Sequence, residues 1–195
     1  MKREKIKAKD LITVGIFTAI QFVVCMATAM LGYIPIFIPL LSVLVPLIGG
    51  IPFMLFLTKT KKFGMVTIMA ILIGIIVGLM GMGVWVMVTA PVCGILADLI
   101  FRSGGYASVK KSILGYGVFS MYMIGNYIPI VVTRESYFDM LATGGYGVEY
   151  AETLMRYIPD WSLPVLLAAC FVSGILGALL GRVLLKKHFV RAGIV

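Results

Sequence analysis

Apolar residues fall along this chain in six long runs, Leu11 to Leu31, Ile36 to Leu57, Phe63 to Met80, Val84 to Phe101, Val109 to Val132 and Trp161 to Leu185. A helix needs roughly 17 to 25 residues to cross about 30 Å of hydrocarbon, and each run has that length. None alternates apolar and polar positions as a barrel strand does. The pattern predicts an all-α integral membrane protein, a six-helix bundle forming a single domain over residues 1–195. One long polar stretch breaks it, residues 133–160, read as an outer loop between the fifth and sixth helices. It holds five of the eight acidic residues (Glu135, Asp139, Glu149, Glu152, Asp160), with Arg134, Arg156 and five aromatic rings (Tyr137, Phe138, Tyr146, Tyr150, Tyr157).

Composition agrees with the pattern. The chain is 61% hydrophobic and 13% charged, with a mean hydropathy of +1.08, whereas soluble domains are about a quarter charged. Six helices nearly exhaust 195 residues and leave no room for a soluble catalytic module.

The net charge of +9 raises the question of nucleic acid, and its distribution answers against it. Fifteen of the 17 basic residues fall in four segments that six spans place on one side: Lys2, Arg3, Lys5, Lys7 and Lys9; Lys59, Lys61 and Lys62; Arg102, Lys110 and Lys111; Arg182, Lys186, Lys187 and Arg191. The positive-inside rule then makes both termini cytoplasmic and residues 133–160 extracytoplasmic. His188, in the basic tail, reads as a solvated charge partner.

Cys25, Cys93 and Cys170 stand alone inside apolar runs and read as small buried hydrophobes. The basic start followed by an apolar run and Ala27-Thr28-Ala29 has the form of a signal peptide. The run is longer than a signal core, so it is kept as the first helix.

Several positions carry local expectations. Asp10 suits the free amides at the start of helix one. Gly15 and Ala19 put two small residues one turn apart on one face, a surface another helix can approach closely, either within the bundle or in a partner protein. Pro39, Pro46 and Pro52, with Gly49 and Gly50, predict a bent or partly unwound second helix near the outer face. Gly74 and Gly78, and later Ser173, Gly174, Gly177, Ala178 and Gly181, form further close-packing faces. Trp85 reads first as an interfacial anchor and second as a stacking wall. Asp98 and Arg102, four apart, read as a local ion pair. Asn126 faces protein or a cavity.

Some chemistries lack their residues. There is no phosphate loop, HExxH, paired intramembrane aspartate or serine with a histidine partner at membrane depth. An intramembrane enzyme acting on lipid is poorly supported, and the expectation is no enzyme. No ionisable residue lies near the midplane to couple protons or sodium, so uphill movement of a solute would draw energy from another subunit.

Taken together, the short bundle, the small faces, the polar outer segment and the lack of an energy source resemble the substrate-binding S component of energy-coupling factor (ECF) transporters. Within them the chain looks most like the MptD or Trep_Strep group. Those components carry a small-xxx-small motif in helix one, usually with alanine at both ends. Here Gly15 and Ala19 occupy it, with glycine in place of the first alanine. The resemblance implies a bacterial, multi-pass plasma-membrane subunit that binds a vitamin-like small molecule near the outer surface. It also implies docking through Gly15 and Ala19 on a T transmembrane subunit with two ATPase subunits. ATP is then used by those partners, with no cofactor and no metal in this chain.

For the pocket, Tyr33, Trp85 and Tyr127 are candidates to stack on a flat ring, Asn126 to pair with a heterocycle edge, Arg134 to meet a carboxylate or phosphate, and Glu135 to select a cation. Trp85, Asn126 and Arg134 are expected to converge beneath residues 133–160. The competing reading is a structural or assembly membrane protein whose outer segment binds another envelope protein.

Overall fold

The structure, a computed structural model, describes residues 5–189. Lys2, Arg3 and Arg191, which enter the charge asymmetry, lie outside them, as does the side chain of His188. The regular structure of the described residues is entirely helical: α1 (Ala8–Ala29), α2 (Phe37–Lys59), α3 (Met65–Val77), α4 (Val84–Ser103), α5 (Val109–Ser120), α6 (Ile124–Val132), α7 (Arg134–Thr143), α8 (Val148–Tyr157) and α9 (Ser162–Leu184). A 3-10 turn at Met121–Met123 joins α5 to α6 into one continuous apolar rod.

Five segments are long and apolar enough to cross a membrane: Ala8–Tyr33, Phe37–Lys59, Val84–Ser103, Val109–Val132 and Ser162–Lys187. The remaining apolar helix, Met65–Gly81, is shorter. At 1.5 Å per residue it reaches only about 25 Å, somewhat less than the hydrocarbon layer. Its run ends early because Gly81 adopts φ +95° and Gly83 φ +86°, a left-handed turn that leads directly into α4.

α1 packs onto the bundle through Val14, Thr18, Gln21, Cys25 and Thr28, which recur every three or four residues and are all buried. Its start is fixed at the basic end: the Lys7 amide donates to Asp10 Oδ2 at 2.8 Å, and Lys62 Nζ reaches the same oxygen at 2.7 Å. Asp10 thus sits in the first turn and ties the amino-terminal segment to the α2–α3 connection.

α2 is not unwound: the helix runs without interruption through Pro39, Pro46 and Pro52. One carbonyl that the prolines release meets a side chain of the neighbouring helix. Pro46 cannot donate to the carbonyl of Ser42, and the Ser173 hydroxyl on α9 lies 3.2 Å from that oxygen. The Tyr116 hydroxyl donates to Pro46 O at 2.9 Å. The α9 glycines serve the same contact: a Cβ on Gly177 would strike Pro46 O and Leu47 O, and one on Gly50 would strike the Gly177 backbone. Two backbones in direct contact gain packing that lipid cannot supply, which is how helices associate in a membrane.

Asp98 and Arg102 do not form the expected ion pair. Asp98, 0% exposed, instead caps α3 from the neighbouring helix. Its Oδ2 accepts from Gly64 N at 2.7 Å, Thr67 N at 3.2 Å and Thr67 Oγ1 at 3.0 Å, and its Oδ1 accepts from the Tyr106 hydroxyl at 2.6 Å. Amides free at a helix start attract a carboxyl group more strongly than an exposed guanidinium on the same helix does. Arg102 lies over the Phe63 ring, 5.4 Å from its centroid. Burial, and then the bond to Asp98, push the Tyr106 phenol well above its ordinary range.

Two cores result. The larger is knotted around Phe53, whose ring centroid lies 4.5 Å from Phe119, 4.6 Å from Tyr116 and 6.1 Å from Phe101. The smaller joins Tyr127 and Ile130 of α6 and Leu166 of α9 to Phe138, Leu141, Ala151 and Leu154 of residues 133–160. That stretch is therefore a helical hairpin, α7 and α8, with its own apolar face.

Candidate functional site

A cavity of about 700 Å³ opens where the two cores meet. Its floor and walls come from the second half of α1 (Gln21, Cys25), the first half of α2 (Leu41, Val45), the end of α3 with the Gly81–Gly83 turn, and the α5–α6 rod (Tyr122, Asn126). The hairpin roofs it with Ser136, Tyr137, Met140 and Leu141 from α7 and Tyr150 from α8. The size lies within the roughly 300 to 1,000 Å³ of small-molecule pockets.

The roof is held to the α1–α2 connection at two points, and the wall beneath it at a third. Tyr150 donates its hydroxyl to Gly32 O, joining α8 to the α1–α2 connection. Tyr146 stands between Tyr33, 6.2 Å away and stacked, and Tyr150, 4.9 Å away. Tyr127 donates to Ile38 O at 2.9 Å, bracing the wall against the start of α2. Burial, reinforced by the neighbouring phenols Tyr137 and Tyr146, pushes the Tyr150 phenol up to about 12. Tyr137 is raised by burial in the same way. Both therefore remain neutral donors at ordinary pH.

Of the residues singled out in the sequence, Tyr33, Asn126 and Tyr127 line the cavity, and Trp85, Arg134 and Glu135 do not. Trp85 is 40% exposed, because Val86 and Ala90 turn the buried side of α4 inward and leave the preceding residue about 100° away. Arg134 is occupied: its guanidinium donates to Ile158 O at 2.6 Å and Met155 O at 2.8 Å, meets Asp160 at 3.2 Å and lies 5.1 Å from the Phe138 ring centroid. It pins the start of α7 to the end of α8, and Asp160 already supplies it with a carboxylate. Glu135 is exposed in the first turn of α7, where its charge suits the helix dipole. The expected meeting of Trp85, Asn126 and Arg134 therefore does not occur at this cavity.

The sequence reading missed Gln21 and the tyrosines Tyr122, Tyr137, Tyr146 and Tyr150. Gln21 carried a signal, a lone carboxamide inside a run of apolar residues. It is 2% exposed, donates from Nε2 to Cys25 Sγ at 3.4 Å, and leaves Oε1 without a partner. Asn126 Oδ1 is likewise buried and unpartnered. Such orphaned oxygens are uncommon in folded proteins and ask for an explanation.

A family model described as a hypothetical bacterial integral membrane protein (Trep_Strep) matches residues 8–191. The chain belongs to that family. No curated protein and no solved structure matches it. As a Trep_Strep protein with several helices of membrane-spanning length, it is a multi-pass protein of a bacterial membrane. Membership covers every cavity-forming element, from α1 through the hairpin roof. One further surface stands apart from the cavity: Gly15 and Ala19 are both exposed on α1, and a Cβ built on Gly15 meets nothing within 4 Å.

Proposed function

We propose that this protein captures a vitamin-sized small molecule in the roofed cavity and delivers it inward as the S subunit of an ECF-type importer. It binds and carries, and leaves catalysis to two ATPase subunits that reach it through a T transmembrane subunit. The single observation that carries the reading is the cavity of about 700 Å³ beneath a hairpin fastened by side-chain bonds. The charge asymmetry of the connections supports an outward-facing roof and cytoplasmic termini. The Gly15 and Ala19 face supports docking. The glycines of α2 and α9 are used up in packing within the fold, whereas Gly15 has open space beside it, Ala19 is exposed, and the pair suits close approach by a partner helix.

The test is uptake in cells that supply the T and ATPase subunits, with compounds extracted from the purified protein as labelled substrates. Gly15→Leu and Ala19→Leu are expected to keep binding by the isolated protein and to lose ATP-dependent uptake. Normal uptake by both variants, with the complex intact, would remove this face from the mechanism. Co-purification with an envelope complex lacking any ATPase would favour an assembly role instead.

A further inference from the structure

We infer that the cavity takes an uncharged, flat, ring-bearing molecule with N–H or O–H donors, and that Gln21 and Asn126 recognise those donors. The inference rests on the capture reading above and specifies its substrate class. Charge decides first. None of the described residues lining the cavity is acidic, basic or histidine. The nearest candidates by sequence are unavailable, since Arg134 is bound to two carbonyls and Asp160, and Glu135 is exposed off the lining. An ionised ligand would leave water without a counter-charge, a cost that weakens binding by about 100-fold or more.

Shape and polarity decide next. Six tyrosines line the cavity, and Tyr146 stacks on Tyr33 and leans on Tyr150, a wall that suits an offset aromatic ring. An acyl chain fits such a wall poorly, because it would leave the carboxamide oxygens of Gln21 and Asn126 unpaired. The carboxamide oxygens of Gln21 and Asn126 are the missing half of a hydrogen-bond pattern. Both are shielded from water and lack a protein partner. The terminal amide torsion is soft, so a small rotation turns either oxygen toward an occupant. A donor there is worth about tenfold in affinity.

The experiment uses purified full-length protein and four indole probes that share one ring: tryptophol, which is neutral; its N1-methyl derivative, which lacks the ring donor; indole-3-acetate, an anion; and tryptamine, a cation. Palmitate is the acyl control. Equilibrium dialysis at pH 7 is expected to rank tryptophol first, the N-methyl derivative about tenfold weaker and both ions about 100-fold weaker. Gln21→Leu and Asn126→Leu are expected to weaken tryptophol about tenfold while the protein stays monodisperse. If either fails to fold, Asn126→Asp is the deciding variant, and it is expected to invert the order so that tryptamine exceeds tryptophol, a change that a purely structural role would not produce. Equal binding of indole-3-acetate or tryptamine to the native protein overturns the inference. So does equal binding of the N-methyl probe, tighter binding of palmitate, or no binding by any indole. In each of those cases ATP-dependent uptake of extracted compounds still decides the capture reading separately.

Discussion

The two halves of this bundle are built from similar apolar sequence and do opposite things with it. Around Phe53, four aromatic rings lie with centroids 4.5 to 6.1 Å away, and Gly50 lies against the Gly177 backbone. Around Asn126 the second half of α1, the first half of α2, the end of α3 and the α5–α6 rod enclose about 700 Å³ beneath the hairpin. The difference lies in what closes each half. Glycines let α2 and α9 touch at one end, whereas a polar hairpin bridges α1, α2 and α6 at the other without filling the space beneath it. One half is a frame of touching backbones and rings, and the other is a chamber whose roof is held by its own small apolar core and a few side-chain bonds.

The comparison can be broken most severely in the frame. Phe53→Ala removes the ring at the centre of the aromatic knot and is expected to cost about 3 to 5 kcal/mol, read as a large drop in the temperature at which the detergent-solubilised protein loses monodispersity. An unchanged transition would show that the frame does not depend on this ring.

Arg134→Ala tests the roof's own joint. Loss of charge-assisted bonds to Ile158 O and Met155 O is expected to cost about 2 kcal/mol. The cost should appear as faster amide exchange in α7 and α8 with little change in α2 and α9. Equal loss of protection everywhere would show that the two halves do not open separately.

Tyr150→Phe deletes one hydroxyl and one fastening, an expected loss of about 1 kcal/mol confined to the roof. The native phenol offers the same experiment through pH. Its pKa is about 12 in the fold against an unfolded value of about 10. The folded state therefore favours the protonated form, and its contribution is complete below about pH 10. It is lost as pH rises from there through about 12. Protease access to the hairpin should increase over that window in the native protein and be less pH-dependent in Tyr150→Phe.

Gly15→Leu is expected to do least. Nothing lies within 4 Å of a Cβ built at this exposed position, so the stability of the isolated protein should shift by no more than about 0.5 kcal/mol. A larger loss would place this face inside the fold.

Much of the frame could be read from the sequence because its signals are long. Eighteen or more apolar residues have few alternatives to a helix across a membrane, and the small residues of α9 are spaced as a packing face must be. The hairpin was harder. Its charged surface residues hide the apolar side made by Tyr150, Ala151, Leu154 and Ile158, so a structured roof looked like a solvated loop. Arg134 had the composition of a ligand contact, but its partners lie 21 and 24 residues away and become neighbours only after α7 and α8 fold back. Asn126 was legible because a carboxamide in an apolar rod has little else to do. Gln21 sent the same message and was lost among its neighbours.

Asp98 also bears on how the chain enters the bilayer during synthesis. Alone, α4 would bring a carboxyl group into lipid with no donor to meet it, a cost of about 2.5 to 3.5 kcal/mol near the middle of a span and less toward its end. α3, made first, would arrive with the Gly64 and Thr67 amides open, and these groups satisfy each other once the two helices lie side by side. The pair is therefore expected to leave the translocation machinery as one unit. A glycosylation-mapped insertion assay should find α4 entering more efficiently behind α3 than alone, and Asp98→Leu should erase that advantage.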